Sequence, residues 1–557
     1  MKLTAFYTET RLRLALALLG GVLLGLAYPT PGIAGFAWFV PGLWLFAALG
    51  LRGALAFRLG YAAGLVHFLL SLRWLLHIPF PSGAVAGWLA LAGYLALFPA
   101  VWVWLATRII ERAALASFAT PALEIRDSKF ETWRSSLLAF ASLSWFRRSM
   151  MALTVAALWV AIEMVQARLF SGFPWNFLGV SQWRNAPVIQ VASVAGVYGV
   201  SFLVCWCSVA LGGALILVAL RPANRFSWLA EGRLPLVALL ILVGIGFNRI
   251  MPARDAVPAP ASLRVALVQP SIAQQLIWDD AASPARFQKA FDLTRQAAAT
   301  QPDVLVWPEG FLPGFNAEQY AAMTNLTASA KAWWIFGDDD RDTGPNGKPR
   351  YYNSAVLVSP EGRTAAVYHK QHLVIFGEYV PLADVLPFLK WLTPIGDGFT
   401  AGDRPGLFPV VAGGRTNRFT PVICFEDIFP QHTRTTVAPD TDWLLEMTND
   451  GWFGESGAQW QHCANAAFRA VENGVPLVRC ANNGLTCWID EFGRLRDVLG
   501  QGQGSVYDAG FLLVNLPVPE GGRRSTFYRD HGDVFGWLCV GLSGLALVQL
   551  RLQKRPS

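Results

Sequence analysis

Charge is what this sequence has little of. Among 557 residues only 15% are Asp, Glu, Lys or Arg while 54% are hydrophobic, against roughly 25% charged in a soluble globular chain. That shortage argues against an ordinary soluble protein and points to one built into a membrane. Internal repeats and low-complexity tracts are also missing, which excludes solenoid and array architectures. Metal-ligand spacing is lacking too: His369 and His372 are three apart and His462 adjoins Cys463, but no zinc-type set forms around them, so neither metal nor cofactor is expected.

What the chain does have is long uncharged apolar runs near the ~20 residues that cross a bilayer. They fall around 12–28, 33–50, 54–76, 84–107, 151–168, 188–220, 234–250 and 534–550, which predicts about eight spans. The runs at 12–28 and 234–250 are short, and 188–220 is long enough to include a re-entrant stretch. The first follows Lys2, Arg11 and Arg13 as a signal peptide would, but no clean small-residue cleavage site follows it, so it is read as a span.

Short loops set the orientation through their Lys and Arg. Arg52 and Arg58 lie between spans two and three; Arg108, Arg112, Arg126, Lys129, Arg134, Arg147 and Arg148 lie between four and five. Arg221, Arg225 and Arg233 precede span seven, and Arg551, Lys554 and Arg555 end the chain. "HIPFPSG" (77–83) carries none. Both termini are therefore expected in the cytoplasm and residues ~251–533 outside, in the periplasm of a Gram-negative host. These loops account for the net charge of +7, leaving no reason to invoke nucleic acid.

The expected domains are a membrane domain over 1–250, a Pro/Ala linker over 251–263, an outer domain over 264–530, and a last span with a cytoplasmic tail over 531–557. In the outer domain, "RVALVQ" (264–269), "DVLVWPE" (303–309), "WWIFG" (333–337), "SAVLV" (354–358), "PVICFE" (421–426), "WLLEMTND" (443–450), "PLVRCANN" (476–483) and "FLLVNL" (511–516) read as strands. Helical patterns fall at 283–299, 317–331 and 458–473. Strands and helices in this order predict a layered α/β domain with a buried core.

In such domains functional residues gather where strands end. One run stops at Glu309, another at Lys370 and a third at Cys424. A free thiol titrates near ~8.5 and is mostly protonated at neutral pH. A carboxylate that removes the proton and an ammonium that holds the developing oxyanion would make these three a nucleophilic site. Taken singly, each has a plainer reading: Cys424 as a small core residue, Glu309 as a helix-start carboxylate, Lys370 as a solvated strand end. Cys480 and Cys487 bracket the turn-like "ANNGLT", which leaves a hairpin disulfide open.

In order, "WPEG" (307–310), "HKQHLVIFGEYVP" (369–381), "CFEDIFP" (424–430), "TNDGWFGESGAQWQH" (448–462) and "RCANNGLT" (479–486) resemble the bacterial apolipoprotein N-acyltransferases, membrane enzymes of the nitrilase superfamily. The resemblance extends over nearly the whole chain and implies eight spans plus an inserted nitrilase-like αββα sandwich. It implies Cys424 as acyl-accepting nucleophile, Glu309 as general base and Lys370 as the stabiliser of the tetrahedral intermediate. Glu378 and Glu426 match supporting glutamates, and Trp278 and Trp175 match tryptophans tied to substrate handling. Phe425 departs from the pattern: a tyrosine is usual there, so this chain lacks that phenol oxygen.

The implied reaction takes an acyl chain from the sn-1 ester of a phospholipid, typically phosphatidylethanolamine, as a Cys thioester. The thioester then passes to the α-amino group of a lipoprotein's N-terminal diacylglyceryl-cysteine, with ping-pong kinetics, in a monomeric inner-membrane enzyme. The stretch 379–399 is unusually apolar for an outer segment. Its Val385, Leu386, Phe388, Leu389, Trp391 and Leu392 fit either an arm entering the outer leaflet or a core-packed helix, and "GFLPGF" (310–315) leaves the same choice. Two rivals stand beside this reading. A membrane-tethered amidase would use the same three residues but let water resolve the thioester. A transporter or lipid-binding protein would leave them idle, although the spans hold few ionisable groups, chiefly Glu163, Arg73 and His67.

Overall fold

In the computed structural model the described residues are 2–51, 53–115, 132–220, 227–251, 261–345, 347–383, 385–388, 398–500, 504–519 and 522–552. Two compact units form: Met1–Arg73 with Ala86–Arg249 and Asp533–Ser557, and Trp74–Val85 with Ile250–Gly532.

Among the described residues of the chain, seven helices are long and apolar enough to cross a membrane, running from Glu9–Ala27 to Val534–Leu552. Within the first unit, Trp145–Gln166 packs against both Ala192–Leu220 and Val534–Leu552. The stretch expected as a span at 33–50 instead breaks into a 3-10 turn, Ala34–Trp38, and a nine-residue helix, Val40–Ala48. Pro41 explains the break, because its ring fits only the first turn of a helix. The long run at 188–220 is likewise interrupted, with Gly196 at φ 64° inside the helix. Arg13, counted as a flank in the sequence, is buried; it pairs with Glu9 at 2.7 Å and donates to the Leu49 carbonyl at 3.0 Å.

The second unit is built on twelve strands: β1 (Ala261–Gln269), β2 (Val304–Val306), β3 (Trp333–Thr343), β4 (Pro349–Val358), β5 (Thr364–His369), β6 (Phe408–Ala412), β7 (Arg415–Ile423), β8 (Trp443–Thr448), β9 (Leu477–Ala481), β10 (Cys487–Ile489), β11 (Leu495–Val498) and β12 (Gly510–Val518). They form two six-stranded sheets, ordered β12-β1-β2-β3-β4-β5 and β11-β10-β9-β8-β7-β6. From β12 to β5 the pairings run antiparallel, parallel, parallel, antiparallel, antiparallel. From β6 to β11 they run in that same succession. The halves therefore share a topology that the sequence, without a repeat, conceals.

Alternation along the strands decides the layers. Val265 and Leu267 join Ile423, Leu445 and Met447 in the core between the sheets. Ala266 and Val268, one residue out of phase, pack with Ala290, Ala297 and Met323 from the helices Ser283–Ala298 and Ala317–Ala330. The other sheet is covered by Ala458–Asn473, a helix buried along nearly its whole length. The result is an αββα sandwich. The segment Trp74–Val85 belongs to this unit because Trp74 donates to Gln461 at 3.1 Å and its ring meets Phe453 at 4.5 Å.

Candidate active site

Three strand ends of the sandwich converge. Past β2, Glu309 is buried, with its backbone against Gly337 of β3. Past β5, Lys370 is 1% exposed. Past β7, Cys424 turns the chain at φ 51°, a left-handed conformation that costs a non-glycine residue on the order of 1 kcal/mol and is kept where surroundings over-determine it.

The Lys370 Nζ lies 2.8 Å from Glu378 Oε1 and 3.3 Å from Glu309 Oε1. Asn353 of β4 donates to both carboxylates, at 2.7 Å to Glu309 and 2.9 Å to Glu378. The Asn449 N–H gives Glu309 Oε2 a bond of 3.0 Å, and the Val374 N–H gives Glu378 Oε2 one of 2.8 Å. Burial opposes the charge on Lys370, but Glu309 and Glu378 outweigh it and hold the ammonium well above the ordinary lysine range. Burial and the charge on Glu309 push the Cys424 thiol well above its usual value; Lys370 pulls the other way. The resting group is thus a thiol with a buried carboxylate and a fixed ammonium within electrostatic reach.

Glu426 stands apart from this cluster. It accepts from the Tyr368 hydroxyl at 2.8 Å and from the N–H groups of Gln371, His372 and Ile423 at 2.7, 3.0 and 2.8 Å. Burial alone would raise its pKa, yet His432, the Ile423 N–H and the charge of Lys370 bring it down to about 2. Glu426 therefore clamps the turn after β5, which carries Lys370, to the turn that carries Cys424. Phe425 is half-buried and meets Phe429 edge-on at 5.1 Å, so ring packing is retained without the hydroxyl.

Beneath the Cys424 turn lies a buried ionic network that sequence reasoning missed. His462 Nε2 is 3.3 Å from the Cys424 carbonyl oxygen and 2.8 Å from Asp427, and its Nδ1 is 2.9 Å from Asp450. Arg479 pairs with Glu446 and Asp450. Burial opposes the imidazolium, but Asp427, Glu446 and Asp450 keep it, so His462 titrates well above its ordinary value. Asp450, at the start of the turn after β8, is held at about 2: burial works against its charge, and Arg479 and His462 more than compensate. Asp427, Glu446 and His462 bring ligand atoms within 4.8 Å of one another, but the Arg479 guanidinium already supplies the cation there. One signal was legible: Glu446 and Arg479 are opposite charges inside two apolar runs, and they pair in register across β8 and β9. Asn353 was also missed, as a single Asn at the head of an apolar strand says little by itself.

The remaining candidates lie elsewhere. Trp278 is 62% exposed just after the helix Gln274–Ile277, whose Gln274 accepts from Asn449 at 3.0 Å. Trp175 belongs to the membrane unit, where it is buried and stacks on Phe173 at 6.1 Å. Val385, Leu386 and Phe388 are exposed, whereas Leu389, Trp391 and Leu392 are outside the described residues. Cys480 donates into the core towards the Val268 carbonyl at 3.5 Å, while Cys487, which pairs in register with Arg479, contacts Cys463. Alternation puts Cys480 and Cys487 on opposite faces, so no hairpin disulfide joins them.

Two family models match. One, described as the apolipoprotein N-acyltransferase N-terminal domain, matches residues 20–210, and one described as carbon-nitrogen hydrolase matches 264–510. An apolipoprotein N-acyltransferase of Geobacter metallireducens is 34% identical, over 97% of this chain and 95% of that one. Another, of Vibrio cholerae, is 31% identical, over 81% and 79%. Among solved structures, an amidase from Nesterenkonia sp. aligns with 48% of this chain and 95% of its own at 19% identity and a TM-score of 0.34. With both family models matched in sequence order and relatives aligned nearly end to end, the chain belongs to the apolipoprotein N-acyltransferase family.

Proposed function

We propose that this membrane protein carries the activity its relatives are named for, acyl transfer to apolipoproteins at the end of lipoprotein maturation, through a thioester on Cys424. The observation that carries the reading is the convergence of three strand ends, with Cys424 at the left-handed turn past β7 and the Glu309 carboxylate and Lys370 ammonium, 3.3 Å apart, both acting on its thiol. Glu309 takes the Sγ proton as the sulfur attacks the sn-1 ester carbonyl of a phospholipid, phosphatidylethanolamine in the first instance. Lys370 faces the oxyanion of the tetrahedral intermediate. Collapse breaks the ester C–O bond, Glu309 returns the proton to the departing glycerol oxygen, and a lysophospholipid leaves. The α-amino group of the diacylglyceryl-cysteine then attacks the thioester. Glu309 takes a proton from the attacking nitrogen and passes it to sulfur as the amide forms.

Glu378 and Asn353 position Lys370 and Glu309, and Glu426 holds the two turns together. Trp278, exposed just after the helix Gln274–Ile277, and Trp175 are the proposed lipid contacts. The basic loops favour an orientation that puts the sandwich in the periplasm, and the enzyme is proposed to act as a monomer in the inner membrane.

Two substrates sharing one nucleophile imply ping-pong kinetics. Purified protein given phosphatidylethanolamine without acceptor should release a burst of lysophospholipid equal to the enzyme present, then stall. Steady release without acceptor would favour the tethered amidase, with water resolving the thioester.

A further inference from the structure

Asp339 extends the site outwards on the same face of the sheet. On β3 and β4, Asp339 pairs in register with Asn353 and Gly337 with Ala355, and Ala355 pairs with Tyr368 of β5. Directly opposed residues share a face, and Ala355 and Tyr368 belong to the core between the sheets. Asn353 and Lys370, each two positions along its chain from that row, continue the same face, and so does Asp339. One row across three neighbouring strands therefore reads Asp339, Asn353, Lys370, with Asn353 bonded to Glu309 and Glu378.

The acidic neighbours are already engaged on the opposite face. Asp340 meets His369 at 2.8 Å, Asp342 pairs with Arg350, and Asp338 accepts from the Asp339 N–H at 2.9 Å. Among the described residues no cation lies within ion-pair distance of the Asp339 carboxylate, which is exposed at the rim. An unneutralised carboxylate beside two others favours a cation, and the row it belongs to leads to the reacting centre.

We infer that Asp339 is a specificity-determining residue that binds the ammonium group of a substrate, in the first instance the α-ammonium of the acceptor. The inference rests on the acyl-transfer reading above. The acceptor amine must reach the thioester carbonyl at Cys424, and an ammonium approaching over the sheet face that carries Asn353 and Lys370 would meet Asp339 before it loses its proton. The same chemistry is offered by the ethanolamine head of a donor lipid.

The test uses full-length protein in detergent and separates the half-reactions. Thioester formation is followed by intact mass, with phosphatidylethanolamine or phosphatidylglycerol as donor, and transfer is then timed with a synthetic diacylglyceryl-cysteine peptide. For D339N the expected result is normal thioester from both donors and about a tenfold lower kcat/KM for the peptide, the scale of one charge-assisted hydrogen bond. D339E should restore the transfer, which a merely structural role would not explain. If D339N instead slows thioester formation from phosphatidylethanolamine while sparing phosphatidylglycerol, the ammonium recognised is the donor's and the acceptor assignment is overturned. Unchanged rates with every substrate would overturn the inference altogether. Absence of a thioester in the wild type would instead overturn the acyl-transfer reading.

Discussion

The charge on Glu309 raises the Cys424 thiol, and the proposed mechanism also needs that charge to accept the sulfur's proton. Removing it should therefore move two observables in opposite directions. In E309Q the thiol pKa falls, so alkylation of Cys424 by iodoacetamide at pH 8 should quicken several-fold while acyl transfer is lost. Peptide mass mapping of the alkylated site alongside a transfer assay checks both. A variant slow in both would mean that the charge on Glu309 does not govern the thiol and that its loss removes the base needed in both reactions. At Glu426 the expectation concerns stability. Its folded pKa of about 2 lies below the unfolded value of about 4.3, so its contribution is present above the unfolded value and lost as pH falls through the folded one. At one pKa unit per ~1.4 kcal/mol the difference is on the order of 3 kcal/mol. E426Q should lower the melting temperature at pH 7, with the gap to wild type closing between about pH 4 and pH 2. Equal melting curves at pH 7 would contradict the clamp.

Elements bring these residues together, and most of the elements are legible in the sequence. The apolar runs ending at Glu309, Lys370 and Cys424 read as strands, and the amphipathic segments near 283–299, 317–331 and 458–473 coincide with helices, because binary patterning is local. Two things are not local. The pairing that sets β8 between β7 and β9 brings His462, Arg479, Asp427, Glu446 and Asp450 into one cluster from positions up to 52 residues apart, and no single window contains that partnership. The clamp by Glu426 has the same character, since its donors come from two turns about 50 residues apart. Gly337 shows how tightly elements constrain the site. A Cβ there would meet Glu309 Cα at 2.9 Å and the Gly310 nitrogen and Pro308 oxygen at 3.0 Å, all backbone. G337A must displace the turn that carries Glu309, so it should reduce thioester formation at least tenfold and lower the melting temperature. A variant with normal thioester yield would show that the turn yields without moving the carboxylate.

At the scale of the whole molecule the sequence showed its class through scarcity of charge, and the helices long enough to span a membrane agree with it. Seven long helices and the shorter apolar stretch Ala34–Ala48 roughly match the eight runs expected, Pro41 interrupting the one that hydropathy alone treats as continuous. A tethered hydrolase needs one anchor, whereas the described residues alone include seven such helices, and the chain carries a family-specific N-terminal region, which fits an enzyme whose substrates both reside in lipid. That account stands on a covalent intermediate at one sulfur. The decisive measurement is the intact mass of purified protein after incubation with phosphatidylethanolamine, wild type beside C424A. A fatty-acyl increment present only in the wild type and removed by neutral hydroxylamine is the predicted result. An unmodified wild type in a folded sample, or an increment that persists in C424A, would contradict it.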